Sequence, residues 1–104
     1  FKIKMSDKVI KEKNIIIITD PDKRITNNFL SRFEIAHIIS TLAEQVSNGR
    51  EYDEEILEEI EEITAINIAQ RIFERGETGL KLHRAIGDNI VEEWLVEELI
   101  YYET

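Results

Sequence analysis

With 104 residues, 42% of them apolar, the chain has room for one modest core and none to spare for a second independent domain. Thirteen basic residues against 22 acidic ones give a formal charge of −9, a field that repels phosphate and argues against stand-alone nucleic-acid binding. The absence of cysteine excludes a disulfide framework and any thiolate metal site, which fits an intracellular protein. No apolar run approaches the ~20 residues of a membrane-spanning helix.

Phe1 in place of an initiating Met suggests a longer polypeptide, and the start is too charged for a signal-peptide core. Residues 1–13 hold five lysines against Asp7 and Glu12, a basic arm. Residues 14–20 (NIIIITD) read as a short buried or docked β-strand closed by Asp20-Pro21-Asp22. A polar, extended connector follows, from Lys23 to Asn28.

The first helix has a sharply written start. Ser31 and Glu34 have the spacing of a capping box, and Leu30 and Ile35 that of a hydrophobic staple. Ile35, Ile38, Ile39, Leu42 and Val46 then recur along one stripe, until Ser47-Asn48-Gly49 supplies a stop. Residues 53–75 resemble one long helix whose apolar stripe changes phase: Ile56, Ile60 and Ile63 share one face, and Ile66, Ala69, Ile72 and Phe73 another. A straight helix cannot bury both, so a break is predicted near Ile63-Thr64, with Thr64 as a new N-cap and Gly76 at the end.

After Gly79, Leu80 and Leu82 alternate with Lys81 and His83 up to a turn at Gly87-Asp88-Asn89, the pattern of a hairpin. Residues 90–102 fit either a strand or a helix, since Val91, Trp94, Leu95 and Leu99 also lie on one helical stripe. Phe29, Phe33, Phe73 and Trp94 are expected to build the core. The class is α+β: two main helices, a short N-terminal strand and a C-terminal β-hairpin, with residues 1–23 as an arm and strand ahead of a domain over residues 24–104.

A search for chemistry returns little. His37 and His83 have no paired spacing for a metal and read better as surface or interface histidines. The acidic waist at residues 51–62 (EYDEEILEEIEE) contains helical ExxE spacings that could hold Mg²⁺, but the partner ExxD motif of the all-α nucleotide pyrophosphatases is missing; a solvated face or a patch for a protein partner is the better reading. Four glycines make no phosphate-binding loop, and Tyr101 and Tyr102 follow acidic rather than basic residues. No catalytic group, cofactor, metal or small-molecule substrate is expected.

Three stretches carry a family resemblance. Arg24-Ile25-Thr26-Asn27-Asn28-Phe29-Leu30-Ser31-Arg32-Phe33-Glu34 is similar to the Thr-x-x-Tyr-Met-Thr-Lys-Tyr-Glu lead-in to the first helix of the RNA polymerase omega superfamily. Ile68-Ala69 and the β run after it resemble that family's second helix and strand. Residues 88–100, DNIVEEWLVEELI, resemble the ending DGSYEDWSVEELI of the eukaryotic members. Departures are Leu42 where the family carries arginine, Gly79 for the strand proline, and a longer, more acidic spacer.

The resemblance implies an omega-like fold over residues 24–104 and a non-catalytic subunit that latches the largest subunit of a DNA-directed RNA polymerase near the clamp base. It implies no membrane and no direct nucleic-acid contact. It places Arg24, Thr26, Phe29, Phe33, Glu34, Ile38, Leu42, Trp94, Val96 and Leu99 at the partner interface. The run Phe33-Glu34-Ile35-Ala36-His37-Ile38-Ile39 is closer to the poxvirus small subunits, which implies virion and host cytoplasm as the location; a cellular member would be nuclear. A generic α+β adaptor unrelated to polymerase is the alternative.

Overall fold

The computed structural model describes residues 2–4 and 15–101, so the rest of the basic arm and Tyr102 lie outside the described residues. The chain is α+β, as the patterning predicts, but it divides into two compact units: Phe1–Ser31 with Gly79–Thr104, and Arg32–Thr78. Strand pairing ties the N-terminal strands to the C-terminal hairpin.

The first unit is a four-stranded sheet with β1 (Lys2–Lys4), β2 (Ile16–Ile18), β3 (Lys81–Gly87) and β4 (Ile90–Leu95) in the order β1-β3-β4-β2. β3 and β4 form the predicted hairpin. Its two-residue turn holds Asn89 at φ 65°, a left-handed conformation that Asn tolerates well, and an irregularity between Ala85 and Gly87 restores the pairing of Gly87 with Ile90. β1 runs antiparallel to β3, and β2 parallel to β4.

The ambiguous final segment is a strand as far as Leu95. A 3-10 turn over Val96–Glu98 follows, and then a bridge between Ile100 and Phe29. Pairing decides this, since the β3 edge satisfies the β4 main chain and a helix there would leave β3 open. Of the two expectations for β2, buried or docked, the structure has the docked one: the strand pairs with β4. Ile16 and Ile17 are exposed at the sheet edge. Pro21–Lys23 forms a 3-10 turn, capped by the Asp20 carboxylate, which accepts from the Asp22 amide at 3.0 Å.

In the second unit, α1 (Arg32–Ser47) begins at the residue after Ser31 and packs on α3 (Ala65–Glu74). Ile38, Leu42 and Ala43 are buried on α1, and Ile68, Ala69, Ile72 and Phe73 on α3. Both helices end in a Schellman motif. The Arg50 amide donates to Gln45 O and Gly49 to Val46 O, while Glu77 donates to Ile72 O and Gly76 to Phe73 O. Gly49 and Gly76 take the positive φ that this motif requires, 97° and 69°.

The predicted phase break is present and larger than a bend. α2 (Ile56–Glu59) is a single turn, residues 60–64 are not helical, and Thr64 caps α3 by accepting from the Asn67 amide at 3.1 Å. Only Ile56 of the first predicted face is buried; Ile63 is exposed. On the second face Ile66 is exposed and Ile68 takes the buried place. Arg50 ties this unit together, donating to Gln45 Oε1 and to the carbonyls of Thr78 and Glu77.

Candidate functional site

The densest polar construction lies in the first unit, where the connector after the 3-10 turn meets the hairpin. Strand alternation puts Leu82 and Arg84 of β3 opposite Trp94 and Glu92 of β4, all four buried. Two charged residues therefore occupy inward positions. Each is satisfied by the connector.

Glu92 is 0% exposed. Its Oε2 accepts from the amides of Ile25 (2.6 Å) and Thr26 (3.2 Å), and its Oε1 from Trp94 Nε1 (2.9 Å) and the Thr26 hydroxyl. Burial pushes its pKa up, but the Thr26 hydroxyl, the Ile25 amide, the Trp94 indole and the Thr26 amide together outweigh burial and hold it at about 2, against an ordinary 4.5. Arg84 donates to Thr26 Oγ1 (3.1 Å), to Asn27 O and to Phe29 O (2.8 Å). The buried carboxylate and the buried guanidinium thus bind the same stretch, from Ile25 to Phe29, from one face of the hairpin.

Arg24 closes the other side. Its guanidinium makes a two-pronged contact with Glu98 at 3.0 and 3.1 Å, donates to Glu93 O at 2.8 Å, and sits 4.0 Å from the centroid of the Trp94 ring. Arg84 lies 5.3 Å from the same ring, so two cations share one indole. Arg24 Nε is buried without a hydrogen-bond partner among the described residues. The Arg24 hydrogen bond lowers the Glu98 pKa ahead of the opposing burial, and Glu98 also accepts from the Leu95 amide at 2.8 Å.

The ten expected interface residues fall into three groups. Arg24 and Thr26 belong to this construction, half-buried and engaged within the chain. Glu34, Ile38, Leu42, Trp94, Val96 and Leu99 are buried, the stripes they belong to being used by the chain's own packing. Phe29 and Phe33 are the two that face outward, at 43% and 80% exposed, and the expectation that they build the core is corrected. Of the four aromatics expected inside, only Phe73 and Trp94 are there.

Glu92, Arg84 and Glu98 carry the site and were not singled out by sequence reasoning. A signal was available: counting by twos from Leu82 reaches Arg84, and from Trp94 reaches Glu92, so both neighbouring strands place a charge in the inward phase. His37 is exposed on α1. His83 Nε2 lies 2.7 Å from Glu93 Oε2, a cross-strand pair. In the acidic waist Glu59 is taken by Arg71 and Arg75, and no group of three or more His, Asp or Glu side chains gathers as for a metal ion among the described residues. No described helix is long and apolar enough to cross a membrane. No protein-family model matches this sequence, and a search of curated proteins found no match.

Proposed function

We propose that this chain is a non-catalytic, omega-like subunit of a multisubunit DNA-directed RNA polymerase, which latches the largest subunit near the base of the clamp. The observation that supports it most is the pairing of the two stretches on which the resemblance rests. Arg24 and Thr26 of the first are bound by Glu92, Trp94 and Glu98 of the second, across roughly seventy residues of sequence. Thr26, Glu92, Trp94 and Glu98, four of the positions at which the two stretches resemble the family, take part in holding the connector on the hairpin. A connector fixed in this way presents Ile25 and Phe29 outward at its surface, and Phe33 stands out from the first turn of α1, apolar groups that a large partner would cover.

On this reading the subunit acts by assembly, and a polymerase of a large cytoplasmic DNA virus is the favoured setting, with the virion and host cytoplasm as its location. The test is affinity purification of the tagged full-length protein from its source. Two very large polymerase chains are expected in the eluate. Recovery of unrelated proteins alone would overturn the reading and point to a stand-alone adaptor.

A further inference from the structure

The chain's negative charge is not shared between its two units. Arg32–Thr78 holds four arginines, no lysine and twelve carboxylates, a formal −8 of the chain's −9. Residues 51–70 contain no basic side chain at all. Of the flanking cations, Arg50 donates to Gln45 and to the carbonyls of Thr78 and Glu77, and Arg71 and Arg75 are committed to Glu59, Glu74, Asp53 and Glu77. Glu54, Glu55, Glu58, Glu61 and Glu62 are exposed and have no ion-pair partner among the described residues. The dipole at the start of α3 favours Glu61 and Glu62 there, but gives no reason for the other three.

The same stretch also exposes two large apolar side chains, Ile63 at 68% and Ile66 at 55%. Both follow from the break between α2 and α3. The non-helical residues 60–64 take Ile63 out of phase with the buried Ile56, and Ile66 falls outside the buried face of Ile68, Ala69, Ile72 and Phe73. Two exposed β-branched side chains, interspersed along the sequence with carboxylates that are unpaired among the described residues, have a definite complement.

We propose that residues 54–66 are a docking surface for a Lys/Arg-rich amphipathic segment of another protein, with Ile63 and Ile66 as apolar anchors and the free glutamates as its charge partners. The helical unit of a second copy brings the same −8 and is repelled, and nucleic acid and anionic lipid are repelled for the same reason. The carboxylates steer and orient the basic segment, and the isoleucines supply the burial that distinguishes docking from diffuse attraction. The inference does not depend on the polymerase reading.

The probe is a short amphipathic Lys/Leu peptide titrated into the full-length protein, followed by amide chemical shifts and by calorimetry. Saturable one-to-one binding is expected, with shifts concentrated in residues 54–70. Ile63→Ser with Ile66→Ser, which leaves the charge unchanged, weakens it by roughly tenfold or more. A Lys/Ser peptide of equal charge binds about as weakly to the wild type as the Lys/Leu peptide does to that variant. Binding that ignores the isoleucine substitutions, that the Lys/Ser peptide reproduces, or that maps to the sheet unit overturns the proposal, as does the absence of binding at millimolar peptide. Circular dichroism verifies that the variant is folded, and both side chains are exposed enough for that to be the expected result.

Discussion

Glu92 shows how a single buried carboxylate can hold a connector in place. Four donors converge on it from three residues, and its pKa of about 2 is the thermodynamic trace of that arrangement. A group whose pKa is depressed on folding contributes stability that is complete above its unfolded value of 4.5 and is lost as pH falls through about 2. The displacement corresponds to roughly 3 kcal/mol. Acid unfolding followed between pH 5 and 2 should therefore show a stability slope that Glu92→Gln largely removes; an unchanged slope would mean that Glu92 is not the responsible group. At its neighbour, Trp94→Ala deletes the ring that two guanidiniums share and leaves a cavity beside Leu82. A cost of about 3–5 kcal/mol is expected, read as a fall of more than ~10 °C in Tm.

Among the elements, the helices are defined chiefly by their ends. Gly49 has open space where a Cβ would be built, so Gly49→Ala costs only the strain of an L-residue at φ 97°, about 1 kcal/mol. Thr64→Ala removes the hydroxyl that accepts from Asn67 and should cost a similar ~1 kcal/mol. Urea unfolding compares the two directly. A Thr64→Ala effect of zero would mean that α3 is held by packing alone. Both ends were legible because caps and αL glycines act through neighbours in the chain. The single-turn length of α2 was not, since periodicity registers a change of face without fixing how many residues uncoil between the two faces.

For the whole molecule, the exposed Phe33 separates folding from assembly. It is 80% exposed, so Phe33→Ala should change stability by less than ~0.5 kcal/mol. If the subunit reading holds, the same substitution reduces recovery of the large polymerase chains in affinity purification, and equal recovery would remove Phe33 from the interface. The concentration of −8 in the helical unit leaves the sheet unit nearly neutral, so the two units offer partners very different surfaces.

Period and punctuation along the chain were enough to determine the α+β class, the strand and turn that open the hairpin, the start of α1, the phase break and the cap at Thr64. These depend on near neighbours or on a repeat of two or 3.6 residues. Tertiary structure alone decided that Arg24 and Thr26 meet Glu92, Trp94 and Glu98, that β2 is an exposed edge, that six expected interface residues are internal, and that Phe29 and Phe33 face outward. An apolar or aromatic residue has the same pattern whether its own chain or another covers it, and a charge in an inward phase looks misplaced until its distant partner is in position.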